Sequence, residues 1–64
     1  MSADRPLSTD QAAHVACCGR RLDGGANPEI TLSILRQVSG KAAMLVLIAE
    51  RPYLREIAER KNWL

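Results

Sequence analysis

The 64-residue sequence predicts an all-α protein built from three helices, at about residues 9–22, 28–39 and 41–62. Three observations lead to this fold class: two sets of helix-start residues, glycines that separate the segments, and apolar residues that recur with the helical period. We expect a flexible N-terminal tail over residues 1–7 and a single small domain over residues 8–64, because the chain is short. A domain of this size has marginal stability alone, so we expect the helices to pack as a dimer.

The first helix is predicted to begin at Thr9. Ser8 precedes it as a cap and Gln11 lies three residues further on, as a capping box requires. Asp10 in the first turn suits the positive end of the helix dipole. One side of this helix carries small and apolar residues, which let a neighbouring helix approach closely: Ala12, Val15, Ala16, Cys18, Gly19 and Leu22.

The second helix is predicted to begin after the break at Gly24 and Gly25. Asn27 is a favoured capping residue, and Pro28 occupies the first helical position, where its missing N–H is not needed. Apolar residues recur along the segment at helical spacing: Ile30, Ile34, Leu35 and Val38. Gly40 is expected to end the helix.

Residues 30–49 also have a second interpretation, as a β-hairpin. Ile30, Leu32 and Ile34 alternate with polar residues, and the sequence VSGK offers a turn. The protein would then be α+β, with the hairpin between two helices. The Asn-Pro-Glu start at residue 27 favours the helix.

Residues 42–49, with the sequence AAMLVLIA, form an uninterrupted apolar run. A helix here is apolar all round, so it must be buried on every side, and two short helices cannot cover it completely. We therefore expect a homodimer in which this segment packs against its copy. The residues predicted for self-association are Met44, Leu45, Leu47 and Ile48. Pro52 then kinks the helix or starts a new one.

Charge and cysteine usage limit the classes of function. The net charge of +2 is too small to indicate nucleic acid. Cys17 and Cys18 are adjacent, and neighbours in sequence rarely form a disulfide, so no secreted disulfide framework is expected. The apolar run is shorter than the roughly 20 residues that span a bilayer. We expect a cytoplasmic protein without a membrane segment.

The sequence HVACC places His14, Cys17 and Cys18 within one turn of each other on the first helix. Two such side chains can share a metal, but a tetrahedral zinc site needs more ligands, and the chain has no other His or Cys. A nucleophile and base would need a third group to orient them. We therefore predict no metal site, no cofactor and no enzymatic activity.

The sequence MLVLIAERPYLREIAERKNWL, residues 44–64, resembles the opening of a winged-helix DNA-binding domain. In that family an apolar helix precedes a short turn and a second helix, and Leu54, Ile57 and Ala58 fit the apolar positions of that second helix. The family's recognition helix and wing do not follow within this sequence. The resemblance implies a DNA-binding transcriptional regulator with contacts to phosphates. The residues that it implies for these contacts are Arg51, Arg55, Arg60 and Lys61.

The function predicted first is a non-catalytic protein-interaction module, acting as a regulator, inhibitor or adaptor that binds a protein partner. Aromatic residues and Arg dominate binding hot spots, and the chain has no Phe, one Tyr and one Trp. The residues predicted for partner binding are Arg51, Tyr53, Arg55 and Trp63. DNA binding is the alternative.

Overall fold

The computed structural model describes residues 7–64, which form three α-helices. Helix α1 spans Thr9–Asp23, α2 spans Pro28–Glu50 and α3 spans Tyr53–Arg60, with both α1 and α3 packed against α2. The all-α prediction is confirmed. Within residues 7–64 there is no strand, so the hairpin considered for residues 30–49 is not formed. Packing as a dimer stays a prediction.

The predicted caps are present at both long helices. The Ser8 hydroxyl accepts a hydrogen bond from the Gln11 backbone N–H at 3.2 Å, and Gln11 Oε1 accepts from the Ser8 N–H at 3.0 Å. Asn27 Oδ1 accepts from the Ile30 N–H at 3.1 Å, with Pro28 in the first turn. Such caps each contribute about 1 kcal/mol. They explain why α1 and α2 begin where the sequence predicts.

Helix α2 is interrupted at Gly40, the residue at which the second helix was predicted to end. Gly40 has φ 88° and ψ 177°, a conformation essentially confined to glycine. Side chains of α1 bond to the residue before the break: Gln11 Nε2 donates to the Ser39 carbonyl at 2.9 Å, and His14 Nδ1 hydrogen-bonds the Ser39 hydroxyl. Carbonyls at a helix end lack intrahelical donors, so Gln11 supplies one.

The core consists almost entirely of aliphatic side chains from all three helices. Five large side chains are fully buried, and two of them, Met44 and Leu47, come from the apolar run. Helices α1 and α3 therefore bury the core-facing side of this run, and cover of its remaining surface by a second copy stays a prediction. The whole buried cluster is Val15, Cys18, Leu22, Leu32, Leu35, Ala43, Met44, Leu47, Ile48, Leu54 and Ala58.

The predicted tail over residues 1–7 falls almost wholly on residues 1–6, which lie outside the described residues. Leu7, the first described residue, is half-buried and packs against the core. At the other end, the Trp63 N–H donates to the Ala58 carbonyl at 2.8 Å, and the Trp63 ring also packs on the core. Both ends of the described chain therefore take part in the domain.

One described helix, Pro28–Glu50, is long and apolar enough to cross a membrane by length and composition. Its most apolar 18-residue window has a mean hydropathy of 1.4, and 39% of that window is buried. A core helix of a folded protein passes the same test, so this is weak evidence for a membrane span. The sequence estimate considered only residues 42–49, whereas the helix is 23 residues long.

Candidate protein-interaction surface

The most exposed apolar feature of the structure is a line of three side chains on the first half of α2, Ile30, Ile34 and Val38. We call this line the α2 ridge. Its members are 58%, 45% and 61% exposed and follow one another every four residues. The periodicity identified an apolar side of this helix, but most of the side that faces the core is made by other residues. The periodicity included Leu35 of that core-facing side, and it did not include Thr31, Leu32 and Ser39.

The α2 ridge is bordered on one side by α1. His14, Cys17 and Arg21, at spacings of three and four residues, line a hollow of about 140 Å³ together with Ile34 and Val38. Burial, together with the adjacent Cys17 thiol, raises the pKa of the Cys18 thiol at the floor of this hollow. Arg21 opposes this shift to a smaller extent. The side of α1 that borders the ridge is therefore polar, whereas the ridge beside it is apolar.

Contacts between α2 and the C-terminal segment lie on another side of α2, away from the ridge. The Arg36 guanidinium lies over the Trp63 ring, 5.5 Å from its centroid. Lys61 Nζ lies 2.6 Å from Glu29 Oε2. These contacts keep Trp63 half-buried, so this predicted partner-binding residue is engaged within the chain. They leave the α2 ridge itself uncovered.

The four residues predicted for self-association do not form one surface. Met44 and Leu47 have no exposed area, and Ile48 is almost fully buried. Only Leu45 projects outwards, at 43% exposure. It lines a second hollow, of about 270 Å³, with Ile48, Ala49, Arg55 and Leu64. Because the run is helical, three of its four largest side chains point inwards, and self-association through this set stays a prediction.

Arg51, predicted for partner binding, joins two helix ends within the chain. Its Nη2 lies 2.8 Å from Asp23 Oδ2 and its Nε lies 3.2 Å from Asp23 Oδ1, while Nη1 reaches Glu50 at 3.3 Å. The guanidinium rests on Gly19, where a Cβ would lie 3.0 Å from Nη1. The hydrogen bonds lower the pKa of Asp23 and raise that of Arg51. The sequence did not reveal this role, because Asp23 and Arg51 are distant along the chain.

Tyr53 and Arg55 lie on different sides of α3. Residues two apart on a helix do not face each other. Tyr53 is 54% exposed, whereas Arg55 borders the second hollow and pairs with Glu59 at 3.4 Å. The four predicted partner-binding residues are thus dispersed over the surface, and their role in binding stays a prediction.

His14, Cys17 and Cys18 do lie together, as their spacing predicted. The His14 ring is nevertheless bonded to Ser39, and Cys18 is buried. Among residues 7–64, no group of three or more His, Cys, Asp or Glu side chains is placed to hold a metal ion. Their contribution here is to the border of the α2 ridge.

No protein-family model, curated protein or solved structure matches this chain. The likeness of residues 44–64 to a winged-helix domain therefore stays a resemblance of sequence.

Proposed function

We propose that this chain is a non-catalytic protein-interaction module, a regulator, inhibitor or adaptor, that binds another protein chain through the α2 ridge. The observation that carries the proposal is the exposure of Ile30, Ile34 and Val38 in one continuous line. Single exposed apolar residues are ordinary, but a line of three branched side chains on one helix is a patch. A location in the cytoplasm remains part of the proposal.

The spacing of the α2 ridge favours a helical partner. Residues four apart on a helix form a ridge that packs into the groove between the ridges of another helix. Covering the exposed part of each of the three side chains contributes about 1–2 kcal/mol. Together they supply enough apolar contact for a specific interaction of moderate affinity, because association itself opposes part of this gain.

The groups in the adjacent hollow favour binding over catalysis. The thiolate is the reactive form of cysteine, and the raised pKa of Cys18 keeps that thiol protonated. His14, the base that a cysteine nucleophile would need, is bonded to Ser39. The hollow therefore offers shape and a polar border to a partner.

DNA binding is the alternative proposal, based on the basic residues implied by the winged-helix resemblance. Three of the four are ion-paired within the chain: Arg51 with Asp23, Arg55 with Glu59 and Lys61 with Glu29. Contacts with phosphates would have to replace these pairs, which favours the protein partner. A titration of DNA binding with salt tests this alternative, because phosphate contacts weaken steeply as salt rises.

A photo-reactive amino acid at Gln37 tests the proposal in the native cell. Gln37 is exposed and lies one turn from Ile34. We expect discrete cross-linked protein products on irradiation, and their loss when Ile34→Asp is added. The same group at Arg60, exposed on α3, is the matched control and should not give these products. Absence of any product from position 37 would overturn the proposal.

A further inference from the structure

We propose that the partner on the α2 ridge is a second copy of this chain, related by a two-fold axis that sets the two α2 helices antiparallel. This inference rests on the proposed function, because it names the occupant of the same surface. It differs from the dimer predicted from the sequence, which placed the contact at residues 44–48. Here the contact lies on the first half of α2 and on the adjoining side of α1.

The distribution of apolar residues on this face favours a self-complementary contact. The α2 ridge is apolar along its length, whereas the bordering side of α1 carries His14, Cys17 and Arg21. Laying ridge on ridge pairs apolar with apolar residues, and it leaves the two polar borders opposite each other. An isologous interface uses the same patch on both copies, and one regularly spaced ridge can interdigitate with its copy.

The charges on the border of α1 match an antiparallel second copy. Asp10, His14, Cys17 and Arg21 follow the spacing i, i+4, i+7 and i+11, so they share one side of α1. The acid and the base stand about 16 Å apart along the helix axis, near its opposite ends. Antiparallel pairing brings Arg21 of each copy towards Asp10 of the other copy. Parallel pairing about a two-fold axis along α2 would instead carry the two α1 helices to opposite sides of the contact, where Asp10 and Arg21 could not meet.

The size of the face sets the expected strength of the dimer. Two helices side by side are about 20 Å wide, and the length from Asp10 to Arg21 is about 16 Å. A standard interface buries about 800 Å² per partner, which is about a fifth of the 4321 Å² accessible surface of this chain. The face, of about 320 Å² in projection, lies below that size. We therefore expect reversible dimers with a micromolar dissociation constant.

Sedimentation equilibrium from about 1 μM to about 1 mM measures that constant directly. Ile34→Asp should weaken the dimer by about 30-fold or more, the effect of losing a hot-spot residue. Tyr53→Asp is the matched control, because Tyr53 is at least as exposed as Ile34 but lies on α3, and it should leave the constant unchanged. Circular dichroism verifies that each variant is folded.

Charge exchange tests the geometry of the pairing. Asp10→Arg and Arg21→Glu should each weaken self-association, since each puts like charges together. An equimolar mixture of the two variants should pair again, because every contact between unlike copies then joins opposite charges. A heterologous partner would not produce this recovery.

Cross-linking locates the two-fold axis. In a Cys18→Ser protein the only thiol is Cys17, at the centre of the charged border. A short bis-maleimide, to which each thiol adds across one double bond, should join two chains, and Ile34→Asp should abolish the product. If the protein is monomeric at about 1 mM and the mixture of charge variants shows no recovery, the proposal that the partner is a second copy is overturned. If products at position 37 then contain another protein, the proposed function stands, and if no product forms at all, both proposals fail.

Discussion

Arg51 Nη2 lies 2.8 Å from Asp23 Oδ2, and Arg51 Nε lies 3.2 Å from the other carboxylate oxygen. One guanidinium therefore joins the last residue of α1 to the residue that follows α2 as its C-cap. The bidentate arrangement fixes the direction of both groups, which a lysine cannot do. This link orients the turn into α3.

The link makes stability depend on pH. Hydrogen bonding to Arg51 lowers the pKa of Asp23 from its ordinary value of 3.8, so the folded chain holds this proton less tightly than the unfolded chain. The contribution is fully present above about pH 4 and is lost as pH falls through the lowered pKa. We expect Asp23→Asn to lower the Tm at about pH 6, and the difference from wild type to shrink towards about pH 3. Thermal unfolding followed by circular dichroism measures it.

Arg51→Gln should remove the same pH-dependent difference as Asp23→Asn. The double variant should then add almost nothing to either change, because both substitutions break one contact. Additive effects of the two substitutions on Tm would show that the pair is not coupled.

Gly40→Ala is expected to destabilise the fold by about 1–3 kcal/mol, because alanine is strained at φ 88° and ψ 177°. Nothing lies within 4 Å of the position that the alanine methyl would take, so the effect comes from the backbone alone. Gly24→Ala is the control, since Gly24 has φ −88° and a Cβ there would meet only ordinary contacts at 3.5 Å. Chemical denaturation compares the two, and equal effects would contradict the prediction.

Leu32→Ala and Ile34→Ala test which side of α2 faces the core. Leu32 has no exposed area, so its truncation should lower the free energy of unfolding by about 2–5 kcal/mol. Ile34 is 45% exposed, so the same change there should have an effect of about 1 kcal/mol or less in the monomer. Urea unfolding of dilute protein measures both values. A larger effect at Ile34 would mean that the ridge is part of the core.

Gln11→Ala should destabilise the fold by about 1–2 kcal/mol, because one side chain serves both the capping box and the Ser39 carbonyl. Gln37→Ala changes the same residue type on an exposed part of α2 and should stay within about 0.5 kcal/mol of wild type. Urea unfolding with both variants decides the point. Similar effects would show that the bond to Ser39 contributes nothing.

Local signals in the sequence predict the helices well. Ser8 with Gln11, Asn27 with Pro28, and Gly40 each act through neighbouring backbone groups, so their effects can be inferred without the fold. The break before α3 follows from Pro52 for the same reason. The predicted bounds therefore lie within one or two residues of the observed bounds for α1 and for both halves of α2.

The exposed surface was harder to predict. It depends on which side of each helix is covered by the other two helices. Ile30, Ile34 and Val38 recur every four residues, yet this spacing does not say whether the line faces the core or borders it. Met44 and Leu47 belong to a run with no polar side, so the pattern indicates no direction for them. Neither question has an answer until α1 and α3 are placed against α2.

A straight helix of 23 residues would be about 34 Å long, close to the thickness of a bilayer's hydrocarbon core. Gly40 bends what would otherwise be such a rod, and its second half then lies between two other helices. Arg36 and Lys41 lie near the middle of α2, so a straight helix would not offer lipid an unbroken apolar surface. The bend at Gly40 instead lets the apolar second half of the helix be covered by protein.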